Sequence, residues 1–79
     1  GTTKSLERAA SWYETAARYG HLEAQNSIGA MYQDGNGVPQ DYSKAFEWYE
    51  KAANEGHPRA MYNLGLLYDK GWGVERDHD

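Results

Sequence analysis

Apolar residues recur along this chain at three- and four-residue steps. Leu6, Ala9, Ala10, Tyr13, Ala16 and Ala17 trace one stripe, and Tyr42, Ala45, Phe46, Tyr49, Ala52 and Ala53 trace another. Residues three and four apart share one face of an α-helix, so the stripes predict amphipathic helices over residues 5–19 and 41–55. Ala24, Ile28, Met31 and Tyr32, then Ala60, Met61, Leu64, Leu67 and Tyr68, predict two more over 22–34 and 58–70.

The polar and small residues punctuate these stripes. Ser5, Asp41 and Asp77 stand where a side-chain oxygen would cap the first helical N–H groups, and Pro58 suits a first helical position. Gly20 and Gly56 read as left-handed C-caps, each followed at once by the next helix. So short a link makes flanking helices antiparallel neighbours. Glu14 to Arg18 and Glu47 to Lys51 have the spacing and order of stabilising ion pairs on an outer face. Gly29 and Gly65 fall inside helices, where each costs about 1 kcal/mol relative to Ala, so a close backbone approach is expected at both.

Shifting the chain by 36 residues superimposes it on itself. Trp12-Tyr13-Glu14 falls on Trp48-Tyr49-Glu50, Ala16-Ala17 on Ala52-Ala53, and Gly20-His21 on Gly56-His57. Ala9 falls on Ala45, Ala24 on Ala60, Gly29 on Gly65, Tyr32 on Tyr68, Val38 on Val74 and Asp41 on Asp77. The unit of the fold is therefore a helix pair, and small residues at recurring positions let neighbouring helices come close.

One ordered set, Ala24, Ile28-Gly29, Tyr32, Gly35, Gly37-Val38, Asp41, Lys44-Ala45, Trp48-Tyr49, Lys51-Ala52-Ala53 and Gly56, resembles the signature of the Sel-one-like repeat (SLR) family, relatives of the tetratricopeptide repeat. Ile28 departs from it, standing where the pattern has Leu. A second copy begins at Ala60 and continues through Leu64-Gly65, Tyr68, Gly71, Gly73-Val74 and Asp77. The resemblance implies an all-α superhelix, a right-handed solenoid of about four antiparallel helices. In it the first helix of each repeat lines a concave face and the second forms the convex back. It also implies an adaptor or scaffold for multiprotein assemblies. A cysteine-rich branch of the family is linked to β-lactam binding or hydrolysis, with a disulfide in each repeat. This sequence has no cysteine, so a hydrolase of that type is disfavoured.

Composition narrows the function classes. A hydrophobic fraction of 39% with 14% aromatics is that of a folding chain rather than a disordered one. The formal net charge of -4 argues against nucleic acid as a partner, because phosphate binding needs clustered Lys and Arg. No apolar run approaches the roughly 20 residues of a bilayer-spanning helix, so no membrane association is expected. The absence of cysteine removes disulfides, thiolate nucleophiles and thiolate-ligated zinc, and it is equally compatible with cytoplasm, periplasm or a lumenal space.

The residues that might carry chemistry have simpler roles. His21 and His57 share one repeat position beside a capping glycine, which makes them structural, and His78 has no evident partner in the sequence. Gly35-Asn36-Gly37 and Gly71-Trp72-Gly73 follow helices rather than strands and lack the third glycine of a phosphate-binding loop. A calcium loop starting at Asp34 fails at its fifth position, which is Val38. No metal, cofactor or catalytic set is expected. Trp12, Trp48 and most tyrosines belong to the framework. Trp72 replaces Asn36 of the preceding repeat, so it stands either as a loop hot spot for a partner or as a cover for the open end.

A protein or peptide is the expected partner. Its contacts fall on the helices predicted over 22–34 and 58–70, at positions the repeat leaves free to vary: Glu23, Asn26, Ala30 and Gln33, then Arg59, Tyr62, Asn63, Leu66 and Asp69. The first and last helices each lack a neighbouring pair. The chain is therefore read as one SLR domain of about two repeats, a fragment of a longer array or a unit that stacks end to end on another copy. A purely structural or self-assembling module is the alternative to a binding scaffold.

Overall fold

The computed structural model describes residues 2–73. Four helices follow one another, α1 (Thr2–Arg18), α2 (Leu22–Asp34), α3 (Tyr42–Asn54) and α4 (Pro58–Lys70), with no strand among the described residues. Packing is between consecutive helices, so α2 lies between α1 and α3, and α3 between α2 and α4. The two stripes read from the sequence meet in one core of Ala10, Ala17, Ala24, Ile28, Tyr32, Ala45, Tyr49 and Leu67. Tyr49, Ile28 and Leu67 are its fully buried large side chains. With principal extents of 46 × 24 × 15 Å the molecule is a thin slab, so each helix keeps an open side.

The hairpin turns are built alike. At the end of α1 the Gly20 N–H bonds Ala17 O at 3.0 Å and the His21 N–H bonds Ala16 O at 3.2 Å. At the end of α3 the Gly56 N–H bonds Ala53 O at 2.9 Å and the His57 N–H bonds Ala52 O at 3.0 Å. These are Schellman pairs, which reverse the chain within three residues and satisfy the last carbonyls. Asp41 caps α3 as expected, accepting from the Lys44 N–H at 3.1 Å, and Pro58 opens α4. Ser5 does not cap α1. The helix already begins at Thr2, because residues 2–5 contain neither proline nor glycine to stop it. The expected cap at Asp77 lies outside the described residues.

Two glycine pairs explain the repeat. Gly37 and Gly73 have φ of +78° and +77°, and a Cβ at either would run into a carbonyl, of Leu6 and of Tyr42 respectively. The loop after each helix pair must cross the beginning of that pair's first helix at backbone contact, which only glycine allows. Gly29 meets the expectation of close approach, since a Cβ there would lie 2.8 Å from the Tyr49 ring. Gly65 does not: it is exposed and nothing lies within 4 Å of a Cβ at that site. The reason is positional. Gly29 faces α3, whereas the same side of α4 faces no described helix.

Candidate functional site

The variable residues nominated from the sequence lie on α2 and α4, which two side-chain contacts tie together. Asn63 Nδ2 donates to Asn26 Oδ1 at 2.9 Å, and His57 Nε2 stands 3.0 Å from Glu23 Oε2. His57 is buried, and its Nδ1 accepts from the Ala60 N–H at 3.2 Å, capping α4. Accepting at Nδ1 and facing a carboxylate at Nε2 fixes the proton on Nε2, which donates to Glu23. One residue therefore ends α3 with its backbone N–H, starts α4 with one ring nitrogen and reaches α2 with the other. His21, its repeat counterpart, is exposed and makes no cap bond through its side chain.

Four nominated residues are thus engaged within the fold: Asn26, Asn63, Glu23 and also Gln33, whose Oε1 accepts from the Tyr49 hydroxyl at 2.9 Å. Burial, with the charge of Asp34 second, pushes the Tyr49 phenol well up from its ordinary value, so it remains a donor at neutral pH. Ala30 packs on the core. Arg59, Tyr62 and Asp69 are exposed and Leu66 is half-buried. Arg59 is 4.0 Å from Glu23, an exposed pair of little energetic weight.

Trp72 is half-buried against the core. Its ring stacks on Tyr42 with centroids 4.6 Å apart at 15°, and the Lys70 ammonium lies 5.1 Å from its centroid. Trp12 is the opposite case. Expected in the framework, it is 77% exposed, whereas its counterpart Trp48 is half-buried against the core with Lys51 Nζ 5.3 Å from its centroid. Of the two expected helix ion pairs only Glu14–Arg18 closes, at 2.7 Å, because Lys51 turns to Trp48 instead of Glu47. Glu14 also accepts from the Tyr32 hydroxyl at 3.0 Å, linking α1 to α2, and burial followed by Glu14 raises the Tyr32 pKa.

A feature the sequence reading missed is a groove of about 410 Å³ along α1, lined by residues including Glu7, Glu14, Arg18 and Val38. Ala10 lies at its floor, where the next repeat has Phe46, whose ring meets Tyr68 edge-on at 5.2 Å. The shift of 36 residues that aligns Ala10 with Phe46 was the available signal. Among the described residues no three His, Asp or Glu side chains converge as a metal-ligand set, and no helix is long and apolar enough to cross a membrane.

Comparison with known proteins accounts for this geometry. The Sel1 repeat model matches residues 1–21, 22–57 and 58–79. No curated protein matches the chain. Among solved structures, a Sel1 repeat protein from Oxalobacter formigenes is 35% identical with a TM-score of 0.84, over 90% of this chain and 29% of its own. The protein c5321, a protective antigen present in uropathogenic Escherichia coli strains and displaying an SLR fold, is 46% identical with a TM-score of 0.86, over 91% of this chain and 15% of its own. The present chain therefore spans less than a third of either. With the family model covering every residue, and with the same helix pairs, the same turns at Gly20 and Gly56 and the same close approach at Gly37 and Gly73, the chain belongs to the Sel1 repeat family.

Proposed function

We propose that this chain is a protein-interaction scaffold that takes a peptide or protein segment on the face shared by α2 and α4. Sel1 repeats generally mediate protein–protein interactions, and their fold is typically a non-catalytic scaffold. The observation that carries the reading is the bond between Asn26 and Asn63. It uses one donor of Asn63 and the acceptor of Asn26, leaving the Asn26 amide hydrogens and the Asn63 carbonyl side by side. A donor and an acceptor held together match the C=O and N–H of an extended peptide backbone.

The flanking side chains supply selectivity in this reading. Arg59 offers a fork for a carboxylate, Tyr62 a broad aromatic face and Leu66 an apolar contact, while Asp69 disfavours acidic residues at the far end. In this reading Gln33, held by Tyr49, and Ala30 form the floor, and Glu23 is held in place by His57. Fixing them beforehand lowers the entropy lost on binding.

The test uses peptides selected from a displayed library on the immobilised chain. Arg59→Glu and Glu23→Lys should each weaken the selected peptide about tenfold or more while leaving the helical circular dichroism signal in place. Unchanged affinity in both variants would move binding off this face.

A further inference from the structure

A second groove, of about 200 Å³, runs between α1 and α3, and α2 contributes the buried Tyr32 to it. Its walls are two consecutive repeats of the described chain, so it owes nothing to an open end. Arg18, Lys44 and Lys51 line it, three of the chain's eight Lys and Arg, against the carboxylates of Glu14 and Glu47. In a chain whose formal net charge is -4 this reverses the local sign.

Each cation is held by a contact of its own. Arg18 donates to one Glu14 oxygen at 2.7 Å, and the other oxygen accepts from the Tyr32 hydroxyl at 3.0 Å, so that carboxylate is already satisfied. Lys44 Nζ lies 5.3 Å from the centroid of the Tyr32 ring and Lys51 Nζ 5.3 Å from that of Trp48. A ring face steadies an ammonium group without using a hydrogen-bond acceptor, so its N–H donors stay available. Among the described residues neither lysine closes a salt bridge. Repeat packing does not require this set. The position of Arg18 holds Asn54 in the next repeat, and that of Lys51 holds Thr15 in the preceding one.

We propose that the groove between α1 and α3 binds a dianionic phosphate group, with Lys44, Lys51 and the Arg18 donors left over by Glu14 as its ligands. Three separate donors call for three acceptor oxygens, which a phosphate group offers and a carboxylate does not. Its charge of about -1.5 to -2 at neutral pH matches the two ammonium groups that lack a carboxylate partner. Glu47, on the rim, opposes the ligand and sets a limit on its affinity. The site shares no residue with the peptide face and is independent of it.

Amide chemical shifts followed by NMR on the 79-residue chain, at about pH 7.5 and fixed ionic strength, read this directly. Inorganic phosphate is the probe in one series and N-acetyl-phosphoserine amide in another. Shifts around Arg18, Lys44 and Lys51 should saturate at roughly millimolar concentration, the scale of a few exposed ion contacts, with acetate weaker. Lys44→Gln and Lys51→Gln should each weaken binding about two- to fivefold, and Glu47→Gln should tighten it. Lys70→Gln removes the same charge beside Trp72, away from the groove, and should leave binding unchanged. All four positions are exposed, so each variant should fold. Saturation by both probes would support a phosphate carried on a side chain, and saturation by inorganic phosphate alone would support the free anion. Shifts that do not saturate, that acetate reproduces equally, or that weaken as much with Lys70→Gln as with the groove variants would overturn the proposal.

Discussion

Gly29 and Gly65 occupy one repeat position, and the structure assigns them opposite responses to the same substitution. In a helix interior Gly→Ala gains about 1 kcal/mol from backbone propensity alone. At Gly65 nothing lies within 4 Å of the added methyl, so Gly65→Ala should keep that gain. At Gly29 the methyl would stand 2.8 Å from two carbons of the Tyr49 ring and 3.4 Å from the Ala45 carbonyl oxygen. The ring cannot yield freely, being fully buried with its hydroxyl held by Gln33. Overpacking of a fixed core ring costs about 1–3 kcal/mol. The propensity gain is common to both variants, so their difference isolates the overpacking cost. For a domain of this size each kcal/mol moves the melting midpoint by roughly 4–8 °C, which separates the two variants by about 4 to 24 °C. Thermal melts followed at 222 nm, at micromolar concentration so that association does not contribute, provide the comparison. Equal midpoints, or a Gly29→Ala variant above Gly65→Ala, would refute the assignment of Gly29 as the seat of Tyr49.

Other substitutions exploit the same asymmetry. His57→Ala removes a cap and should cost about 1–2 kcal/mol in urea denaturation, whereas His21→Ala, which loses no side-chain cap bond, should cost under about 0.5. A double-mutant cycle on Asn26 and Asn63 should return a coupling of about 0.5–1.5 kcal/mol, and zero coupling would deny that they bond in solution. Tyr49 titrates higher in the folded chain than in the unfolded one, so its contribution is intact below about pH 10 and is lost as the pH climbs toward its folded value. Denaturation series at stepped alkaline pH should therefore show stability falling above about pH 10, with a shallower fall in Tyr49→Phe; identical slopes would contradict the burial of that phenol.

What the sequence revealed and what it hid follow from the same period. Tyr13 and Tyr49, or Gly29 and Gly65, are identical in type, so the helix pairs, their C-terminal glycine turns and the family were legible from recurrence. Recurrence treats every copy alike, however, and only the inner copy has neighbours on both sides. Hence Gly65 was expected to be tightly packed and Trp12 to belong to the framework, and both are open. The bonds on the α2–α4 face were hidden for another reason. Asn26 and Asn63 are 37 residues apart and Glu23 and His57 are 34 apart, so neither pair falls on the 36-residue register. Such contacts depend on how two parallel helices are offset, which side-chain type does not encode. The cation over Trp48 instead of the Glu47–Lys51 pair is likewise a choice between two adequate partners, decided by local packing.

The proposed binding face requires that the side chains holding the helix pairs together be distinct from those that would meet a partner. A paired alanine scan across α2 and α4, reading the urea midpoint and the affinity for one library-selected peptide in the same variants, tests that distinction. Ile28, Tyr32 and Leu67, all buried, should lower the midpoint, while Arg59, Tyr62 and Leu66 should lower affinity several-fold with little change in the midpoint. A scan in which affinity losses simply followed stability losses, or in which none of Arg59, Tyr62 and Leu66 mattered for the peptide, would contradict it.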